Sequence, residues 1–240
     1  MSTYEENYIA APNYELEIKY SELRQTEAAI HILKNSPRNI LEIGSGLNPI
    51  SNYLSDSIEN GLLLIILEPD PEFFVQLTLL SSANRNIIPK LLTLQDYVKN
   101  MSEEITFDFI VINCLLQEIE DPIEFLRLAK TILNKNGKIW ISVPNANSLH
   151  KRFSSIENEF QKTFFGRKWN FAAQDIEGIV SGTGGKIVLM QSRILKPFPD
   201  NQLKELMNDI AFPTIYKLWL GYKSINSQLG AEIDFLIEYN

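Results

Sequence analysis

Short apolar runs alternate with amphipathic segments along the first 145 residues of the chain. The apolar runs show little polar alternation, which is typical of strands buried on both faces of a parallel sheet. They predict strands at residues 39–43, 62–67, 87–92, 107–113 and 138–143. The segments around them have apolar positions at helical spacing and predict helices at residues 15–35, 49–60, 72–82, 95–103 and 122–133. This alternation predicts βαβ units in a doubly wound sheet.

The pattern changes after Pro144, where an aromatic-rich stretch of mixed polarity begins. Beyond it, the sequence predicts helices at residues 173–180 and 202–226 and strands at residues 186–191 and 231–239. The predicted fold class is α/β, a doubly wound and mostly parallel seven-stranded sheet with an antiparallel last strand. We interpret residues 1–240 as one domain with a helical N-terminal segment, a core, an insertion after strand 5 that acts as a substrate lid, and a C-terminal part: residues 1–37, 38–145, 146–172 and 173–240.

The chain carries a net charge of -8 and contains one cysteine and two histidines. An acidic surface repels a phosphate backbone, so no nucleic-acid partner is expected. The few thiol and imidazole groups offer neither a disulfide framework nor metal-ligand spacing, so no metal is expected. No signal-peptide pattern opens the sequence, and no apolar run approaches the roughly 18 residues of a membrane span. We therefore expect a cytoplasmic protein without a membrane partner, while a homodimer remains open.

The residues that end the predicted strands carry the chemistry, because ligands of open α/β sheets bind at the carboxyl ends of the strands. The first strand runs into Gly44 and Gly46, which allow a ligand to approach the backbone closely. The second strand ends in Glu68, an acid placed to accept hydrogen bonds from both hydroxyls of a ribose. The dinucleotide fingerprint requires a third glycine where this chain has Pro49, which disfavours NAD or FAD.

Three segments of the chain resemble the class I (Rossmann-like) S-adenosylmethionine (SAM)-dependent methyltransferases. The stretch ILEIGSGLNP at Ile40–Pro49 is similar to their first motif, E/D-x-G-x-G-x-G, and Leu67–Asp70 is similar to their second. Phe107–Asn145 is similar to their fourth and fifth strands with the intervening helix. The segments Asn147–Phe153 and Leu195–Phe198 resemble a bacterial subgroup that acts on small molecules.

Two positions depart from the family pattern. Asn48 stands where the third glycine of the first motif is usual, and Glu118 stands where many relatives carry a histidine. The resemblance implies SAM as cofactor. It also implies that one set of residues contacts the cofactor's amino group, methionine part, ribose, adenine and sulfonium: Glu42, Gly44, Ser45, Gly46, Glu68, Pro69, Leu94, Gln95, Asp96, Asn113, Cys114 and Leu115. Within that set, Glu42 is expected at the amino group and Asp96 at the adenine.

The expected reaction transfers a methyl group to a small-molecule acceptor, first a hydroxyl of a sugar or secondary metabolite. A hydroxyl nucleophile benefits from a nearby base, and the candidates are Glu118 and His150, with Asn145 as an orienting partner. Residues of the N-terminal helix are expected to complete the substrate side: Tyr14, Tyr20 and Arg24. Amine, carboxyl and phosphate-type acceptors remain open. A non-catalytic nucleotide-binding protein and an NAD-dependent oxidoreductase also remain open, although the latter lacks a Tyr-x-x-x-Lys pair.

Overall fold

One sheet of eight strands organises the part of the chain that the computed structural model describes, residues 14–100, 105–153, 168–198, 212–225 and 228–239. The strands are β1 (Asn39–Ile43), β2 (Leu63–Leu67), β3 (Ile87–Lys90), β4 (Phe107–Asn113), β5 (Leu133–Pro144), β6 (Gly185–Arg193), β7 (Lys223–Ser224) and β8 (Glu232–Tyr239). Their order across the sheet is β3-β2-β1-β4-β5-β8-β6-β7. Strands β1 to β5 are mutually parallel, and β8 pairs antiparallel with both β5 and β6.

The helices flank this sheet. They are α1 (Tyr14–Asn35), α2 (Ser55–Glu59), α3 (Pro71–Ser81), α4 (Leu94–Asn100), α5 (Pro122–Thr131), α6 (Leu149–Phe153), α7 (Ala173–Gly182) and α8 (Phe212–Leu220), with short 3-10 turns at Ile50–Tyr53 and Leu116–Glu118. Local sequence explains two of the starts, because Asp70 and Asp121 accept backbone N–H groups of α3 and α5 and a proline follows each cap. None of the described helices is long and apolar enough to cross a membrane.

Alternate side chains of the central strands pack on opposite faces of the sheet. On one face, Leu41 belongs to a buried cluster with Phe125 of α5 and Ile176 of α7. On the other face, Ile40 belongs to a cluster with Ile32 of α1 and Ile58 of α2. Burial of each such side chain stabilises the fold by roughly 1.5–3 kcal/mol, so these two layers determine where the helices lie.

The predicted fold class is confirmed, with an eighth strand that the sequence analysis missed. Strand β7 pairs antiparallel with β6 through two residues and lies inside the segment predicted as a helix at 202–226. In the described part of that segment, the helix ends at Leu220 and Gly221 follows it. A two-residue strand is too short to create a hydrophobic period, so the pattern could not reveal it.

Two other predicted elements differ in detail. The predicted helix at 49–60 is a 3-10 turn followed by the five-residue α2, with the non-helical Leu54 between them. The predicted helix at 122–133 ends at Thr131, and β5 begins at Leu133 rather than after Gly137. The register against β4 shifts there, and Asn136 takes a left-handed φ of 68°. The Asn136-Gly137 turn signal therefore marks a bulge within a strand.

The topology places the carboxyl ends of β1 to β5 along one edge of the sheet. Because the strand order reverses between β1 and β4, a crevice opens at this edge, as expected for the switch point of a doubly wound sheet. Strand β8 runs the other way, so its first residue, Glu232, lies opposite Pro144 at the same edge.

Candidate active site

A cleft of about 920 Å³ lies at the carboxyl edge of the sheet. Its walls come from the segments that follow four of the parallel strands, from helix α1 and from the start of β8. The principal lining segments are residues 43–48, 67–71, 92–95 and 113–115. Their convergence brings most of the predicted cofactor residues together in one cavity.

The two glycines after β1 have different roles in the cleft wall. Both are left-handed, with φ of 70° for Gly44 and 54° for Gly46. A Cβ at Gly44 would come within 3.0 Å of Leu115 Cδ2, whereas a Cβ at Gly46 would meet nothing within 4 Å. Gly44 therefore lets the β1 and β4 ends pack closely. Gly46, next to the buried Ser45, leaves open space where a ligand can approach the backbone.

Glu68, at the end of β2, is 5% exposed and lines the cleft beside Pro69. One carboxylate oxygen accepts from the Gly46 N–H at 3.0 Å and the other from the Asp70 N–H at 3.1 Å. Burial raises the pKa of this carboxyl. Each oxygen keeps further lone-pair capacity, so the carboxylate fits the hydroxyl pair of a ribose.

Glu42 lies behind the cleft wall and does not line the cavity. It is 1% exposed, and its carboxylate accepts from the Ile50 N–H at 2.9 and 3.1 Å and from Gln25 Nε2 at 2.9 Å. Burial raises its pKa to about 7. The predicted contact between Glu42 and the cofactor's amino group remains a prediction, and the observed contacts hold the glycine loop and α1 together.

Gln25 of helix α1 is a cleft residue that the sequence analysis missed. Its Nε2 donates to Glu42 and to the Asn48 carbonyl oxygen at 2.7 Å, and its Oε1 accepts from Asn113 Nδ2 at 3.0 Å. Nothing in a helical pattern distinguishes this glutamine from a solvated one, because its partners come from distant segments. Only the fold could identify it.

The end of β4 supplies Asn113, Cys114 and Leu115 to the cleft. Cys114 is left-handed with φ of 49°, a conformation that costs a non-glycine residue roughly 1–2 kcal/mol. Such strain often occurs at functional sites. Asn113 Oδ1 is buried and has no hydrogen-bond partner among the described residues. This orphaned acceptor fits a donor group of a ligand, and it supports a cofactor in this part of the cleft.

After β3, Leu94 and Gln95 line the cleft, whereas Asp96 does not. Asp96 is exposed, and its carboxylate accepts a hydrogen bond from the Thr93 hydroxyl at 2.7 Å. The backbone N–H of Asp96 donates in turn to the Thr93 hydroxyl oxygen at 3.1 Å. This reciprocal pair caps the start of α4. Thr93 itself lines the cleft and was not predicted, and the adenine contact of Asp96 remains a prediction.

Both candidate bases, Glu118 and His150, line the cleft. His150 Nδ1 lies 3.1 Å from the Ser148 hydroxyl, which orients the ring. Gln117, which the sequence analysis did not single out, is 4% exposed and also lines the cavity, and its Oε1 has no partner among the described residues. The turn that carries Glu118 thus presents a carboxylate and a carboxamide to the same cavity.

The predicted substrate residues separate into two groups. Tyr20 and Arg24 are buried in helix α1 and line the cleft. Asn145 is fully buried outside it, and its amide donates to the carbonyls of Gln228 and Gly230 and accepts from the Asn147 N–H. All of its groups bind backbone, so Asn145 fastens the segment before β8. The side chain of Tyr14 lies outside the described residues, as do residues 154–167 of the predicted lid.

A charge network lies where helix α1 and the start of β8 form the wall of the cleft. Arg24 donates to Glu17 at 2.6 Å and to Glu232, and Arg193 donates to Glu232 at 3.0 Å and to Asp234 at 2.8 Å. Glu17 and Glu232 line the cavity. The sequence could have indicated Glu232, because the first residue of an antiparallel last strand lies at the carboxyl edge of the parallel strands.

Among the described residues, no three His, Cys, Asp or Glu side chains lie close enough together to form a metal site.

The structure is similar to solved methyltransferases. One is the plantazolicin methyltransferase BamL in complex with a triazolic desmethylPZN analog and SAH, at 15% identity and a TM-score of 0.64, covering 97% of this chain and 93% of that one. Another is a SAM-dependent methyltransferase of Thermotoga maritima, a possible histamine N-methyltransferase, at 16% identity, TM-score 0.61 and coverages of 92% and 89%. A third is the CcbJ methyltransferase of Streptomyces caelestis, at 12% identity, TM-score 0.58 and coverages of 92% and 96%.

The sequence comparisons give the family. The sequence matches no curated protein. A family model described as a methyltransferase domain matches residues 14–208, which is well over half of the chain. The resemblance of the glycine loop and the strand ends to this family is thereby confirmed, and SAM is the cofactor. The protein belongs to the methyltransferase-domain family and is a class I SAM-dependent methyltransferase.

Proposed function

We propose that the protein transfers the methyl group of SAM to a hydroxyl of a small molecule, such as a sugar or secondary metabolite. One observation carries the proposal: Glu118 and His150 line the same cavity as the glycine loop and Glu68. SAM supplies an electrophilic methyl group on its sulfonium. The chain must therefore align an acceptor, exclude water and remove a proton.

The residues that would hold SAM follow the walls of the cleft. The backbone at Gly44 and Gly46 would pass beneath its methionine part, and Glu68 would accept from its ribose. The orphaned Asn113 Oδ1 is an acceptor for one of its donor groups. The other wall residues would enclose the adenine and the remainder of the cofactor: Ser45, Pro69, Leu94, Gln95, Cys114 and Leu115. This fit supports the predicted set, apart from Glu42 and Asp96, which lie outside the cavity.

The acceptor would lie between helix α1 and the turn that carries Glu118. The Glu118 carboxylate would accept the hydroxyl proton, and the His150 ring, oriented by Ser148, is the second candidate base. Tyr20 would contribute apolar surface at the substrate side, where Lys196 lies 5.6 Å from its ring centroid. Arg24 is committed to two carboxylates, so we propose that it orients the acceptor wall rather than binding an anionic substrate.

An amine acceptor is the second candidate. Among the described side chains that line the cleft, six are acidic and three are Arg or Lys: Glu17, Glu22, Glu68, Asp70, Glu118 and Glu232 against Arg24, Lys151 and Lys196. An acidic surplus attracts a cationic amine and disfavours carboxylate or phosphate acceptors. A carboxylate base serves an amine as well, because it can accept the ammonium proton before methyl transfer.

Two steps test the proposal. Calorimetric titration with SAH, with NADH as a parallel control, comes first; binding of NADH but not SAH would overturn it. A methyl-transfer screen with paired acceptors that differ only in hydroxyl against amine comes next. Turnover of the hydroxyl member supports O-methylation, and turnover of the amine member alone favours the second candidate.

The Glu118→Gln substitution tests the base directly. Removal of a general base typically costs about 10²–10⁴-fold in turnover, and we expect a loss in this range with SAH affinity unchanged. The matched control is Glu120→Gln, in the same acidic run but outside the cleft and exposed. Equal turnover for Glu118→Gln and wild type would remove Glu118 from the mechanism and leave His150 as the base.

We further propose that residues 1–240 act as one domain in the cytoplasm. Both clusters of buried side chains span the parallel core and the C-terminal strands, which supports a single folding unit. A lone cysteine, Cys114, suits a reducing compartment.

A further inference from the structure

Asn48 occupies the position where the first methyltransferase motif usually has its third glycine. Its backbone does not require a glycine, because the described non-glycine residues with positive φ are Ser36, Cys114, Asn136 and Ile194. The side chain is therefore free of backbone constraint and available for contacts. It lies in the wall of the cleft, half-buried, next to helix α1.

The Asn48 side chain reaches across to helix α1. Its Nδ2 donates to the Ser21 hydroxyl at 3.1 Å and to the Tyr53 hydroxyl at 3.1 Å, while its Oδ1 accepts from Asn52 Nδ2 at 3.3 Å. Tyr53 and Asn52 come from the 3-10 turn that follows the loop. Residues of the 3-10 turn thus orient the Asn48 carboxamide so that it bonds to helix α1. A glycine at this position has no side chain and could not form this bond.

A second bond joins the same two elements one helical turn further on. Gln25 Nε2 donates to the backbone carbonyl of Asn48 at 2.7 Å and to Glu42, and Gln25 Oε1 accepts from Asn113 Nδ2. Ser21 and Gln25 are four residues apart, so they lie on one face of α1. We call Ser21, Gln25 and Asn48 the latch.

The latch connects the cofactor side of the cleft to its acceptor side. Between Ser21 and Gln25, Arg24 also points into the cavity region and is bonded to Glu232 at the start of β8. Tyr20 precedes Ser21 and lines the same cavity. These bonds connect the glycine loop directly to the helix that carries the proposed acceptor contacts.

We propose that Asn48 is a positioning residue: through Ser21 it couples the cofactor loop to helix α1, so that cofactor binding orders the acceptor wall. The inference rests on the methyltransferase function. It assigns a role to the substitution of the motif's third glycine in this chain. The coupling takes place between side chains of the protein itself and needs no acceptor to be observed.

Hydrogen–deuterium exchange of helix α1, with SAH as the probe, tests the coupling. In the wild-type protein, we expect saturating SAH to slow exchange of the amides at residues 17–26 by about tenfold, the scale of one additional hydrogen bond. In Asn48→Ala, Ser21→Ala and the double variant, SAH should bind within about threefold of wild type while this slowing falls several-fold, and the remainder is carried by the Gln25 bond to the Asn48 carbonyl oxygen. The double variant should lose no more than either single one, because both remove the same bond.

Two controls accompany these variants. Ser21→Thr keeps the hydroxyl that accepts from Asn48 and should restore the slowing. Thr26→Ala, on the exposed side of the same helix, removes only a hydroxyl bond to the Glu22 carbonyl and should leave the slowing intact. Full SAH-dependent slowing in the double variant would overturn the proposal. So would a loss of SAH affinity above about tenfold, which would make Asn48 a cofactor ligand. Failure of the wild-type protein to bind SAH would instead overturn the proposed function.

Discussion

At the scale of single residues, Glu42 is a buried carboxyl that joins the 3-10 turn after the glycine loop to helix α1. Its carboxylate accepts one backbone N–H from the 3-10 turn and one side-chain N–H from helix α1. Withdrawal from water nevertheless dominates, and the pKa rises from 4.5 to about 7. The folded protein therefore holds a proton at Glu42 over a pH range in which the unfolded chain has released it.

The stability of the protein is predicted to fall as the pH rises through this range. A raised carboxyl pKa means that the native state binds more protons than the unfolded state between pH 4.5 and about 7, so the free energy of unfolding decreases with rising pH there. Glu42→Gln should flatten this part of the curve, measured by urea unfolding between about pH 5 and about pH 8. Glu59→Gln, at an exposed position, is the matched control. A curve for Glu42→Gln that retains the full wild-type slope would contradict the assignment.

At the scale of elements, the segment that precedes α7 fastens the turn that carries Glu118. The backbone N–H groups of Lys168 and Trp169 donate to the Gln117 carbonyl oxygen at 2.8 and 3.0 Å. Trp169 Nε1 donates to the Ile119 carbonyl oxygen at 2.7 Å, and its ring stacks on Phe171. The end of the predicted lid therefore touches the proposed base through its backbone neighbours.

Trp169→Phe removes the indole N–H and keeps an aromatic ring over Phe171. We expect a loss of about 1 kcal/mol in the free energy of unfolding and a several-fold fall in acceptor turnover, with SAH affinity unchanged. Thermal unfolding and methyl-transfer rates measure the two effects. Lys168→Ala is the matched control, because it removes only an exposed ion pair with Glu120 and keeps the backbone N–H. If Trp169→Phe and Lys168→Ala have equal turnover, the indole bond does not position the turn.

At the scale of the whole molecule, the buried charge network joins the first helix to the last strands. Arg193 of β6 donates to Glu232 and Asp234 of β8, and Arg24 of α1 donates to Glu232. Removal of one member would leave a buried charge without its partner, which is strongly destabilising. The segment before β8 passes close to this network, since a Cβ at Gly230 would lie 2.3 Å from the Arg193 carbonyl oxygen.

Gly230→Ala is predicted to destabilise the whole fold. The added methyl group meets the backbone of Arg193, which cannot move without displacing its ion pairs, and we expect a loss of about 2–3 kcal/mol. Gly178→Ala is the control: it lies exposed within α7, a Cβ there meets nothing within 4 Å, and the change should stabilise by about 0.5–1 kcal/mol. Denaturant unfolding measures both. Equal stability for the two variants would contradict the packing argument.

The sequence by itself determined the elements whose signals are local. Apolar runs predicted all five parallel strands. Gly44, Gly46 and Glu68 could be assigned to a ligand site because strand ends of an open α/β sheet share one edge. These predictions need only hydrophobic periodicity, turn chemistry and one rule of topology.

Only the tertiary structure decided which polar side chains meet. Gln25, Asn48 and Glu42 are separated in sequence, and their hydrogen bonds exist because helix α1 packs against the glycine loop. Tertiary packing also buries Asn145, whose amide donates to two backbone carbonyls. The Asp96 carboxylate bonds to Thr93 at the start of α4 and lies outside the cleft. The sequence shows which hydrogen-bond donors and acceptors a polar side chain has, but it does not show which groups will be their partners. The partner is determined by long-range packing, which brings distant segments together, and a local sequence pattern contains no information about that contact.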